Sequence, residues 1–561
     1  MDGAYQHARS SATAKLPAFV YERTPEAAWQ PIPRTYRRRE PERTAMHAVV
    51  RGHLETFLDE GRRRFDSGSG YPTFVENEFL RYLNCGMLSY GFARLRCPAC
   101  GFERLVACSC KGRLCPSCWA RRAADTAADL VDRVLPEARY RQWVLTFPWE
   151  LRYHLATDSV FLSQALRIFL RTITAWLRLR GRRAGLKEGQ VGALSFLQRF
   201  GGILNLNPHF HSIVTDGLFV KASERADNRL VFCPLPPPTE LDISDLSQRL
   251  AVRIGILAKR RFQEAEENSH ELAVDTLLLR TTVAEALKAP GRRPHRVCLQ
   301  DILPDDTHSL SPGKELCARV DGFSLHAART VQPKDRAELE ELCGYGLRAP
   351  FSHDRLSLEP DGRVRYRLHR PWPMPGGRTE IFLQPRAFMK RLAALLPAPY
   401  QNMLRYYGVF ANRSRFRDLL PTPPKRADKS RSTLPLKPET IPDSEVSGVV
   451  TNPPPASAVP LRKRTHLGWA QLLRRVFDIS ALTCPHCSTP LVVLAFLTDP
   501  VVIRKILIHL NLPAVLPTIE PSRLAWPEFG DSNDIVEDGQ RPPLLNALSD
   551  PHNVSAPRAP P

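Results

Sequence analysis

Much of what bounds this 561-residue chain is absent from it. No unbroken apolar run approaches the ~18 residues of a membrane span, so no membrane partner is expected. The start, Met1-Asp2-Gly3-Ala4-Tyr5-Gln6-His7, is polar and carries no signal-peptide core, which points to the cytoplasm. Thirteen cysteines without such a signal argue for a reducing compartment, with clustered thiols serving metal rather than disulfides. Acid is scarce relative to base: Lys+Arg 79 against Asp+Glu 58 gives +21 and a pI of about 9.7. An excess this large suggests a polyanionic partner, most simply nucleic acid, against the plainer reading of a merely basic soluble protein. Nothing reads as a Walker loop, and no obvious three-carboxylate pattern stands out.

What is present is enough apolar residue, 43%, for sizeable cores in several domains. Residues 1–40, rich in Arg, Pro, Ala and Ser, read as a disordered basic arm. From Ala45 a helical period sets Met46, Val49, Val50, Leu54, Phe57 and Leu58 on one face, with His47 and His53 read as structural. Further on, Trp119–Leu135 and residues 159–182 read as helices. Gln142–Phe147 and Ala193–Phe200 read as strands, with a turn at Gly201-Gly202. Residues 245–290 look helical and polar. Strand, helix and paired strands predict an α+β fold with a mostly antiparallel sheet. Residues 420–462, rich in Pro, Ser and Lys, read as a linker. A small helical module (463–516) follows, and then a disordered tail (517–561).

The cysteines cluster. Cys97-Pro98-Ala99-Cys100 and Cys115-Pro116-Ser117-Cys118 are two C-x-x-C knuckles, a spacing that lets four thiolates complete one zinc tetrahedron. Cys85, Cys108 and Cys110 are surplus: one substitutes, or several build a second site, with Cys85 and Cys110 as candidate zinc ligands. Basic neighbours, among them Arg113, suggest docking to DNA; the plainer reading is a zinc that braces a domain junction. A third knuckle, Cys484-Pro485-His486-Cys487, has only two thiolates and would need His486, His509 or another chain.

A different metal chemistry is suggested by Asn207-Pro208-His209-Phe210-His211. Alternation on a strand puts His209 and His211 on one face, where two imidazoles can hold a divalent ion. Gln198, on the preceding strand, could face the same side and supply a hard amide oxygen for Mg²⁺ or Mn²⁺. The plainer reading is two partly buried histidines and a polar strand residue. From Asp335, a reasonable N-cap, a helix buries Leu339, Leu342, Cys343 and Gly346. Tyr345 falls off that face, beside Arg348. Farther on, Arg363, Arg365, Arg367 and His369 alternate with Val364, Tyr366 and Leu368, a basic ridge suited to a phosphate backbone.

Taken together, these motifs resemble the HUH tyrosine transposases of rolling-circle insertion sequences, including the common-region elements. The resemblance covers roughly residues 41–419 and 463–516. It rests on the two knuckles, on Trp143–Pro148, on Leu197-Gln198-Arg199-Phe200-Gly201 before Leu204–His211, on Tyr345–Pro350 and on Tyr406–Ala411. It implies a zinc-binding DNA-docking domain (41–135) and a transposase domain (136–419) built on an HUH nuclease-type antiparallel sheet with flanking helices. The histidine pair and a third polar ligand would hold Mg²⁺ or Mn²⁺, and structural Zn²⁺ the thiolates. Tyr345 would attack single-stranded DNA at element ends, keep the 5′ end as a phosphotyrosine and release a 3′-hydroxyl. Arg113, Arg348, Arg363, Arg365 and Arg367 would contact DNA. Some relatives carry two tyrosines four residues apart; here Glu341 stands at the earlier position, so either another subunit contributes or transfer proceeds through the freed 3′ end. Unwinding would fall to a host helicase and replication proteins, in a bacterial cytoplasm. A rolling-circle replication initiator or relaxase, and a non-enzymatic zinc-dependent DNA-binding protein, are the rival readings.

Overall fold

A computed structural model describes residues 36–63, 70–221, 229–267, 316–371, 377–424, 468–477 and 479–524. Most of the expected basic arm, the linker from 425, the tail beyond 524 and the expected helix beyond 267 lie outside the described residues.

The described helices are α1 (Ala45–Arg63), α2 (Thr73–Leu83), α3 (Pro116–Asp129), α4 (Trp149–Thr157), α5 (Ser159–Arg183), α6 (Glu240–Glu267), α7 (Arg336–Gly346), α8 (Pro385–Leu395), α9 (Trp469–Phe477) and α10 (Pro500–His509). The strands are β1 (Phe92–Arg96), β2 (Glu103–Ala107), β3 (Tyr140–Thr146), β4 (Gly192–Phe200), β5 (Leu206–Thr215), β6 (Gly217–Lys221) and β7 (Leu230–Pro234). They continue with β8 (Cys317–Val320), β9 (Phe323–His326), β10 (Thr330–Val331), β11 (Leu356–Leu358), β12 (Val364–Arg367), β13 (Glu380–Leu383), β14 (Leu404–Gly408) and β15 (Val492–Leu497). The fold is α+β, and every pairing between these strands is antiparallel.

The central sheet runs β14-β4-β5-β3-β9-β8, with β10 added on β3. Its middle strands β3, β4 and β5 are buried along their whole length because both faces are covered. On one face Trp143, Leu145, Leu197, Phe210 and Val214 pack against α4, α5 and α6. On the other, Tyr140, Leu194, Phe196 and Ile213 pack against α7 and the end of α3. By length and apolar content α5 could span a membrane, although Arg167, Arg171 and Arg178 interrupt its apolar run. Its Phe161, Ala165, Phe169 and Ile173 are instead fully buried against the sheet and α6, and Asp158 caps it by accepting from Val160 N and Phe161 N. It is a core helix.

A second core forms the N-terminal lobe. The face of α1 read from its periodicity is buried as expected, and His47 is structural, its Nε2 hydrogen-bonded to the Leu83 carbonyl (3.2 Å). Residues far along the chain complete this core. The three-stranded sheet β11-β12-β13 and α8 contribute Val364, Tyr366, Ile381, Phe388 and Met389. The described part of the stretch 463–516 packs against the N-terminal lobe. Its β15 pairs with β1 in a sheet ordered β15-β1-β2, and Ile503 and Leu507 of α10 pack on Leu88 and Phe92.

Candidate active site and two thiolate clusters

The candidate site lies on the sheet face that carries α7. Register makes Gln198 of β4 the direct partner of His209 on β5, and Phe196 the partner of His211. Cross-strand partners share a face, so Gln198, His209 and His211 stand together. Both histidines are buried, their Nε2 atoms 3.0 Å apart. Two nitrogens bound to one ion at about 2.1 Å and at right angles stand about 3.0 Å apart, so the pair has the spacing of adjacent ligands. His209 Nδ1–H donates to the Asn207 carbonyl (2.7 Å), which turns the lone pair of its Nε2 toward His211.

Gln198 is held by its amide nitrogen, which donates to the carbonyls of Tyr345 (2.8 Å) and Gly346 (3.1 Å) at the end of α7. Its Oε1 is buried and has no hydrogen-bond partner. An orphaned buried amide oxygen on the strand position opposite His209 adds one hard donor to two borderline imidazoles, so the residues fit a divalent ion.

Gln142 was missed by sequence reasoning. Its amide nitrogen donates to His211 Nδ1 (3.1 Å), so the hydrogen between the two rings sits on His211 Nε2. An ion takes that place only if His211 adopts its other tautomer, and a half-turn of the Gln142 amide supplies the acceptor that tautomer needs. Gln142 is one of three polar residues in this buried strand, with Arg141 and Thr146, and nothing in the sequence singles it out. His326, on the same face, is two strands from His211, about 10 Å away, too far to share an ion.

Tyr345 is brought to this site by the close approach of α7. A Cβ at Gly346 would lie 2.6 Å from Phe196, so only glycine lets the helix end rest on the sheet. Asp335 caps the helix as expected, accepting from Glu338 N (2.9 Å). The Tyr345 ring meets His211 edge-on with centroids 5.5 Å apart and is half-buried. The Arg348 guanidinium lies 4.5 Å from the Tyr345 ring centroid, and its buried Nε has no hydrogen-bond partner. Arg348 also lines a cleft of about 700 Å³ between α3 and α7, with Phe200, Arg355 and His369 on its walls. The other expected DNA contacts lie apart. Arg363 pairs with Asp361 (2.6 Å) and Arg365 with Glu359 (2.8 Å), while Arg367 and Arg113 reach the carbonyls of Asp354 and Ala398. The ridge alternates as expected, with Val364 and Tyr366 buried, but acidic neighbours offset part of its charge.

The cysteines do not group as expected. Cys97, Cys100, Cys115 and Cys118 do not make one tetrahedron. The knuckle Cys97–Cys100 lies in the turn between β1 and β2, whereas Cys85 precedes that hairpin and Cys110, Cys115 and Cys118 follow it. A five-residue strand, about 16 Å, separates the two ends. Cys115 and Cys118 instead join Cys85 and Cys110, with Cys85–Cys118 and Cys85–Cys115 sulfurs 3.5 Å apart and Cys110–Cys118 3.6 Å. Cys97 and Cys100 join Cys484 and Cys487, with sulfurs 3.4 to 3.7 Å apart. Four sulfurs 2.3 Å from one zinc ion lie about 3.8 Å from each other, so both clusters suit tetrahedral zinc. In the first, hydrogen bonds from Cys110, then Cys115 and Cys118, hold the Cys85 thiol far below its ordinary pKa. Burial alone would lower the pKa of Arg39; the Cys85 and Cys115 sulfurs beside it more than offset that. Cys108 belongs to neither cluster.

Two family models match this chain. Residues 53–147 match a transposase zinc-binding domain of IS91 type, and residues 192–417 match the transposase family Y2_Tnp. No curated protein and no solved structure matches it. The matched segments together cover more than half the chain and contain the first cluster, the histidine pair and Tyr345, which defines a DNA-acting transposase with structural zinc. The chain belongs to the IS91-type rolling-circle transposases.

Proposed function

We propose that this transposase nicks and rejoins single-stranded DNA at element ends through Tyr345. The observation that carries this reading is the orphaned Gln198 oxygen beside the His209–His211 pair, with the Tyr345 ring edge-on to His211. The Tyr345 oxygen bonds to the scissile phosphorus and gives its proton to water, while the P–O3′ bond breaks and the 3′ oxygen takes up a proton from water to leave as a hydroxyl. The 5′ phosphate stays on tyrosine, so reversal by a 3′-hydroxyl reseals the strand without ATP. A Mg²⁺ or Mn²⁺ ion held by His209, His211 and Gln198 would polarise the phosphate and offset its developing charge. Arg348 supplies a fixed cation at the same place and stacks on the nucleophile's ring.

The test uses single-stranded oligonucleotides from both element ends with Mn²⁺. The expected outcome is a covalent protein–DNA adduct on a denaturing gel. It should be lost with EDTA and reduced at least about a thousandfold in Tyr345→Phe. An adduct that persists in Tyr345→Phe moves the nucleophile elsewhere, Tyr406 and Tyr407 being the first to examine. Tight zinc-dependent DNA binding with no adduct in any metal favours the non-enzymatic reading.

A further inference from the structure

The cluster of Cys97, Cys100, Cys484 and Cys487 joins residues 384 positions apart, and Cys484 and Cys487 lie outside both segments matched by the family models. Its two halves are built alike. In the first, Cys97 N donates to the Phe102 carbonyl (2.7 Å), Gly101 N donates to the Cys97 carbonyl (3.0 Å), and Gly101 has φ +74°. In the second, Cys484 N donates to the Thr489 carbonyl (2.9 Å), Ser488 N donates to the Cys484 carbonyl (3.0 Å), and Ser488 has φ +59°. A serine in the left-handed region is a strain that a plain surface turn would not need. Each knuckle leads into a strand, β2 or β15, and both strands flank β1. Phe102 packs on His486 with ring centroids 4.8 Å apart, over the buried Leu95 and Leu491.

This segment also reaches the helix that carries Tyr345. Arg475 of α9 lies between Asp132 (2.6 Å) and Glu340 of α7 (2.7 Å), with both of its terminal nitrogens and Nε engaged. Glu340 flanks the face of α7 that Leu339 and Cys343 bury in the sheet core.

We propose that Cys97, Cys100, Cys484 and Cys487 form a second zinc centre that clasps the C-terminal segment onto the N-terminal lobe, and that Arg475 of this segment positions α7. The zinc part stands independently of the tyrosine chemistry; the positioning part rests on it.

The test starts with zinc counted by elemental analysis on the full chain. Two ions per chain are expected, and one in the double variant Cys484→Ser/Cys487→Ser. Cys487→His, which keeps a nitrogen ligand, should retain two. One zinc in the unaltered chain, two in the double variant, or two disulfides found by mass under non-reducing conditions would each overturn the clasp. Hydrogen exchange then follows β15 and α7. The double variant should lose protection in both; Arg475→Ala should lose it in α7 alone. Arg475→Ala should slow adduct formation about tenfold to a hundredfold with DNA affinity unchanged, and Arg475→Lys should restore part of the rate. Unchanged protection of α7 in Arg475→Ala overturns the positioning role even if no adduct forms in any variant, which would count against the tyrosine reading instead.

Discussion

Of the places in this molecule where side chains suited to a metal come together, two do so in opposite ways. The Cys85–Cys110–Cys115–Cys118 cluster is closed: four soft donors from one chain surround one point, three of them buried in the core of the N-terminal lobe. The His209–His211–Gln198 set is open: two nitrogens and one oxygen leave coordination positions unfilled, and a half-buried tyrosine stands at the gap. Closed sites hold folds together, and open ones leave room for substrate. The difference extends to the supports. The cluster is fixed by backbone N–H groups pointing at sulfur, from Cys110 and Gly112, whereas the histidines are fixed by an exchangeable amide and a carbonyl.

This contrast breaks most visibly in Cys85→Ser. Loss of a thiolate from a core cluster should cost more than about 5 kcal/mol and leave the lobe unfolded, read by urea titration together with zinc content. Cys85→Ser that melts like the unaltered chain would show that the cluster does not hold the fold. The histidine side should respond oppositely. His209→Ala should leave the melt and the zinc count unchanged while removing Mn²⁺ binding. Gln142→Leu should be milder, weakening Mn²⁺ binding about 10- to 100-fold with zinc unaffected, as measured by titration calorimetry. An unchanged Mn²⁺ affinity would mean His211 needs no partner at Nδ1. The smallest effect belongs to the ridge. Arg365→Ala should change single-stranded DNA affinity by no more than about 0.5 kcal/mol, because Glu359 and Glu380 already occupy that guanidinium. Arg348→Ala, with its unpartnered Nε at the open site, should cost more. The reverse order would place the DNA on the β12 face.

The α+β class, α1, α5, the histidine strand and the Asp335-capped helix were legible because each is written in local periodicity. The proximity of Gln198 to His209 was also legible, since a short turn between two strands leaves few registers. The pairing of cysteines was not. Adjacent knuckles were expected to share a metal because they are close in sequence, but the β1–β2 hairpin carries one of them a strand's length away from the other. Nothing near Cys484 announces that its partners are Cys97 and Cys100, and β15 is six apolar residues in a row, with no alternation to mark it as a strand. Likewise, that β11-β12-β13 would close the core of α1 and α2 depends on contacts some 300 residues apart, which no local pattern records.

The position of β15 also sets the order in which the protein can be completed. A chain emerging from the ribosome presents β1 and β2 early, and the catalytic sheet and Tyr345 well before residues 484–497 exist. Until then β1 has a bare edge, Cys97 and Cys100 lack their partners, and Glu340 has no Arg475 beside it. A copy ending before residue 468 would therefore carry Tyr345 but lack both the Arg475–Glu340 contact and the Cys484–Cys487 knuckle.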